Sequence, residues 1–91
     1  MFLLISYDIP DDKRRANVAK ALENFGTRVH YSVFECLLTR SQLNDVRTRL
    51  QAVISVTDDS IRFYFLPDDA VPKIAILGHG TVTEDRAFIW R

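Results

Sequence analysis

The order strand, helix, strand, strand, helix, strand predicts an α+β sandwich for this 91-residue chain. Three observations support that order. Phe2 to Ile5 is an unbroken apolar run; two later stretches place apolar residues at helical spacing; and residues 27–38 and 61–66 are rich in strand-forming side chains. Two βαβ units in succession describe the ferredoxin-like split βαβ arrangement, in which right-handed crossovers put both helices on one face of a four-stranded sheet.

Phe2 to Ile5 reads as a strand buried on both faces, with Asp8 where it runs out into a loop. Pro10 ends ladder pairing, and Asp11 or Asp12 can cap a helix by accepting from its first free amides. Val18, Ala21, Leu22 and Phe25 share one helical face, so the first helix is expected over Asp11 to Phe25, with Gly26 as a left-handed C-cap. Thr27 to Leu38 is too long for one typical strand of about five or six residues. It is expected to form two strands with a bend near Ser32, ending near Thr39, although no turn signal joins them.

Ser41 is the expected cap of the second helix, with Leu43, Val46, Leu50 and Val53 on its buried face and Asp45 and Arg49 as a supporting pair. The polar turn Thr57-Asp-Asp-Ser60 leads into the alternating strand Ile61 to Leu66, which stops at Pro67. Lys73-Ile-Ala-Ile-Leu77 reads as an extra C-terminal strand with no place in the basic fold, and so as one that pairs with a second copy. The chain thus divides into a domain over residues 1–78 and a tail over 79–91. The Gly78-His-Gly80 hinge precedes an apolar segment, Ala87 to Trp90, expected to dock on the dimer partner or on another protein.

Composition narrows the function classes. An apolar share of 47% and a charged share of 26% are those of an ordinary globular domain. No apolar run approaches the roughly 18 residues needed to span a bilayer, and the first residues lack a secretory pattern. A cytoplasmic protein without a membrane partner is expected. The single cysteine, Cys36, excludes an internal disulfide and a cysteine-based zinc motif, and its apolar strand setting argues for a packed thiol. Twelve basic residues balance twelve acidic ones, so a nucleic-acid surface must be local.

That surface is expected at residues 8–15. Lys13, Arg14 and Arg15 fall in the first helical turn, where the macrodipole prefers acidic side chains. Free amides, the dipole and three cations would together hold a phosphate beside Asp8. The alternative is that Asp11 and Asp12 simply neutralise the triplet on a solvated face.

Tyr7-Asp8-Ile9 after an apolar strand, Asp11-Asp-Lys-Arg-Arg15, Arg28-Val-His-Tyr-Ser-Val-Phe-Glu35, Ser60-Ile-Arg-Phe-Tyr64 and Ile76-Leu-Gly78 run in register over residues 1–78. In this the chain resembles the small CRISPR-associated Cas2 family. The resemblance implies a ferredoxin-like homodimer that bridges Cas1 integrase dimers in spacer acquisition and holds duplex DNA. It also implies Mg²⁺-dependent endonuclease activity on single-stranded RNA or double-stranded DNA. By position, Asp8 matches the family's magnesium-binding aspartate, Arg15 and Arg28 its basic residues, and Tyr7, Ser32 and Phe34 its residues near the dimer cleft. His30 departs from the usual glutamine and Asn17 from a frequent basic residue.

Two Asp8 carboxylates meeting across a two-fold axis would share one Mg²⁺ with substrate phosphates, and metal affinity and activity would fall in acid. A non-catalytic duplex DNA scaffold resting on Lys13, Arg14, Arg15 and Arg28 is the alternative function. A toxin ribonuclease of the VapD kind, on the same fold, is a third. His30 as a general base and Glu35 as a ligand-orienting residue are subsidiary expectations.

Overall fold

A computed structural model describes residues 1–84. Strand β1 spans Phe2–Asp8, helix α1 Asp12–Leu22, β2 Gly26–His30, β3 Val33–Leu37, helix α2 Arg40–Val53 and β4 Ser60–Leu66. The four strands form one sheet in the order β2-β3-β1-β4 with every neighbouring pair antiparallel, as the ferredoxin-like reading requires. Among the described residues no helix is long and apolar enough to cross a membrane.

Alternation along β1 decides where the core lies. Leu3, Ile5 and Tyr7 point to one face, and with Phe34 and Cys36 of β3 they form a single buried cluster with Val18 and Leu22 of α1 and Leu43, Val46 and Leu50 of α2. Both helices therefore cover that face. On the opposite face Phe2 is buried, but Leu4 and Ser6 are only half-buried and Asp8 is exposed. Full burial of β1 on both faces is thus not met in the single chain. The strand runs out at Asp8 as expected: the aspartate is its last residue, paired with Ser60 of β4.

The ends of the helices differ from the expectations for local chemical reasons. Asp11 caps α1 as expected, accepting from the Arg14 amide at 2.8 Å. The helix stops at Leu22 with Glu23 as C-cap, so Gly26 is not a cap but the first residue of β2. A side chain there would collide with the Glu35 carbonyl oxygen and the Cys36 sulfur of β3; glycine is needed for close approach, not for a left-handed turn. Helix α2 is capped by Thr39 rather than Ser41. The Thr39 hydroxyl accepts from the Gln42 amide at 3.1 Å while the Gln42 side chain accepts from the Thr39 amide at 2.9 Å. This reciprocal pair satisfies two otherwise free donors, which Ser41 two residues later does not. The Asp45–Arg49 pair does not form; the Arg49 guanidinium instead lies 5.4 Å from the Phe25 ring centre, and Arg47 lies 5.6 Å from that of Phe63.

The fifth strand expected at 73–77 is absent from the single chain. Val71–Lys73 forms a 3-10 turn, which takes the Lys73 and Ile74 amides for bonds to Ala70 and Val71 at 3.0 and 3.1 Å, while Pro72 has no amide proton to give. Residues 74–84 continue without regular structure, and Thr83 reaches the sheet, where its amide and hydroxyl both donate to Glu35 Oε1 at 3.0 and 2.8 Å. Gly78 and Gly80 adopt positive φ, the region that favours glycine. The segment Ala87 to Trp90 lies outside the described residues.

Candidate nucleic-acid interface

Asp8 stands at the end of a central strand, on the face that the helices leave open. Among the described residues its carboxylate enters no ion pair, and no group of three or more potential metal ligands occurs. Among the described residues a single chain therefore gathers no cluster of three such ligands around Asp8. That donor set fits Mg²⁺, which keeps several waters and uses one or two carboxylates with substrate phosphates; it does not fit a closed structural site.

The basic triplet beside it is largely spoken for. Arg14 Nε donates to Asp59 Oδ2 at 2.8 Å and its Nη2 to Asp59 Oδ1 at 3.1 Å, joining α1 to the turn before β4. The Asp59 carboxylate, fully shielded from solvent, also accepts from the Ser55 amide at 2.9 Å. The Arg14 hydrogen bonds, and after them the Ser55 amide, hold the Asp59 carboxyl below the usual carboxylate range against the opposing effect of burial. Arg15 pairs with Asp12 and donates to the Ile9 carbonyl at 3.0 Å, tying the helix to the loop after β1. Lys13 is exposed and makes no ion pair among the described residues. The misfit of three cations at a helix N-terminus is thus answered mainly by Asp11, Asp12 and Asp59, and Lys13 is the member of the triplet left to meet a phosphate.

Arg28 is also engaged. From β2 its Nε and Nη2 both donate to the Tyr31 carbonyl, at 3.0 and 2.5 Å, and the Tyr7 hydroxyl donates to the same oxygen at 3.2 Å. The Arg28 guanidinium lies 5.9 Å from the Phe34 ring centre, and the Tyr7 and Phe34 rings are 6.4 Å apart. Phe34 itself is fully buried among core residues, so in this chain it supports the site from beneath. Ser32 contributes its carbonyl, which accepts from the Tyr7 amide at 3.0 Å and fastens the β2–β3 turn to β1.

His30 is exposed, at the register shift of β2 opposite Val33. Glu35 is held by Thr83 rather than turned to a ligand. Behind the sheet, a groove between α1 and β2 sets Arg15, Lys20 and Arg28 beside Asp12 and Glu23, a mixture of signs that makes no continuous track for a phosphate backbone.

Sequence reasoning did not find Asp59 or Tyr31. Asp59 meets Arg14 across 45 residues of chain, and nothing in the Thr57–Ser60 turn marks which aspartate faces inward. Tyr31 reads as one more aromatic in an alternating strand, although the structure leaves it 86% exposed.

The family model described as CRISPR associated protein Cas2 matches residues 1–74. A protein of Synechocystis sp. named CRISPR-associated endoribonuclease Cas2 3 is 45% identical over 85 residues, which is 92% of each chain. The crystal structure of Streptococcus pyogenes Cas2 superposes with a TM-score of 0.76 at 37% identity, covering 86% of this chain and all of that one. A chain of a partial Cas6-RT-Cas1–Cas2 complex gives 0.70 at 29% identity, covering 84% of this chain and 89% of its own.

Proposed function

The chain belongs to the CRISPR-associated protein Cas2 family, and we propose that it acts in spacer acquisition as a homodimer that binds nucleic acid, joins a Cas1 integrase and hydrolyses phosphodiester bonds at Asp8. Relatives named endoribonuclease and a structural neighbour from a complex with Cas1 support this reading. The observation that carries it is the position of Asp8: an exposed carboxylate at the end of a central strand, on the open face, without an ion-pair partner among the described residues.

Asp8 and its copy across a two-fold axis are the residues that would hold Mg²⁺. When bound, the ion would acidify a water and offset charge on the scissile phosphate. The chain's own contribution is positional. Asp8 is fixed by its ladder pairing with Ser60, and Arg15 ties the following loop to α1. Arg28 and Tyr7 hold the neighbouring turn, while Lys13 supplies an exposed cation to the incoming backbone.

The test is cleavage of labelled duplex DNA and single-stranded RNA by wild type and Asp8→Ala, each with Mg²⁺ and with EDTA. Cleavage that requires both the metal and Asp8 is expected. Cleavage unchanged in Asp8→Ala refutes the assignment. The scaffold reading is favoured by the want of a cluster of three metal-ligating side chains among the described residues; it is distinguished by nucleic-acid binding that persists, and falls with salt, when no cleavage is seen under any condition.

A further inference from the structure

The turn between β2 and β3 is two residues long, Tyr31 and Ser32. Two-residue hairpin loops ordinarily need positive φ, supplied by glycine or asparagine. This one has neither residue, and among the described residues no non-glycine φ is positive. The turn is held from outside instead. Three donors converge on the Tyr31 carbonyl, two from Arg28 and one from Tyr7, and the Tyr7 amide holds the Ser32 carbonyl.

The backbone of Tyr31 is therefore fixed while its side chain is 86% exposed. The β1–β3 ladder ends with Ser6 opposite Val33, and the Tyr7 amide on the Ser32 carbonyl carries the contact one residue further, which holds the turn bearing Tyr31 against the end of β1 that carries Asp8.

We propose that Tyr31 is a base-stacking residue, its ring covering an unpaired nucleobase next to the phosphodiester at Asp8. The inference rests on the nuclease reading above and names the substrate feature it selects. Every base has a π-face, so stacking on tyrosine tolerates sequence but requires a base out of its pair. The ordering of the turn is complete before substrate arrives, so none of the stacking is spent on it. Arg28 becomes a positioning residue for Tyr31 and not itself a phosphate ligand.

The experiment uses full-length Asp8→Ala protein, to prevent cleavage, and single-stranded RNA with one 2-aminopurine, whose fluorescence is quenched on stacking. Binding is expected to quench the probe. Adding Tyr31→Ala should abolish the quench and weaken RNA binding roughly ten- to a hundredfold, while Tyr31→Trp keeps both and duplex DNA affinity does not change. Unchanged quenching and affinity in Tyr31→Ala overturn this inference alone. So does a fall in the molecular mass of Tyr31→Ala in solution, which would assign the ring to contact between copies. If the Asp8→Ala parent binds no single-stranded RNA, the occupant is excluded and the single-stranded nuclease reading falls with it.

Discussion

Replacing Phe34 by alanine should lower the stability of this domain by several kcal/mol before it reveals anything about catalysis. The side chain is fully buried between sheet and helices, against the Tyr7 ring and beneath the Arg28 guanidinium. Truncating such a phenylalanine costs about 3–5 kcal/mol, and the lost ring contacts with Tyr7 and Arg28 add roughly 0.5–1.5 kcal/mol. A chain of this length has a total stability of roughly 5–14 kcal/mol, so the variant would keep half of it at best in the lower part of that range. With a urea slope of about 1–2 kcal/mol per molar, the midpoint should fall by about 2–6 M. Phe34→Leu refills most of the space and should cost only about 1–1.5 kcal/mol, or about 1 M. Urea titrations followed by circular dichroism, at matched protein concentration because dimerisation shifts the midpoint, provide the check. The reasoning is refuted if Phe34→Ala unfolds within about 0.5 M of wild type yet has lost cleavage, since Phe34 would then act at the cleft and not through the core.

Two further outcomes follow from buried groups. The folded-state value of Asp59 is lowered by the Arg14 hydrogen bonds and the Ser55 amide, so its contribution to stability is complete above the unfolded value of about 4 and is lost as pH falls through the lower folded value. Calorimetric melting temperatures should therefore drop more steeply in acid for wild type than for Asp59→Asn; parallel curves would refute the linkage. Burial, with the charge of Glu35 adding to it, pushes the Cys36 thiol up to about 11, so a thiol reagent at neutral pH should label the protein only as fast as it unfolds. Immediate stoichiometric labelling of native protein would show that β3 is not packed as described.

What could be read from the sequence was local and periodic. Leu43, Val46 and Leu50 sit on the buried face of α2, and Cys36 is a packed thiol, because helical and strand periods carry directly into burial. Features set by distant groups could not be read in the same way. The Asp59–Arg14 pair depends on which side of a polar turn faces α1. The β2–β3 turn lacked any signal because its restraint comes from Arg28 and Tyr7, not from its own residues. Thr39 was a different case: a threonine with glutamine three residues later is a visible capping box, and Ser41 was the competing hydroxyl. For residues 73–77 the strand-like pattern is real, but a strand needs an edge, and this segment makes no ladder within the single chain.

The three glycines differ in what a methyl group would meet, and mirror-image chemistry separates them. Gly78 and Gly80, at φ 94° and 118° with open space where a Cβ would lie, resist an L-residue through handedness alone. D-alanine made by semisynthesis would suit both, and by restricting the unfolded chain it would stiffen the link between the domain and the Thr83 anchor. Gly26 is guarded by Glu35 and Cys36 in the next strand, so its restriction belongs to the space between two strands and would follow any change in their separation.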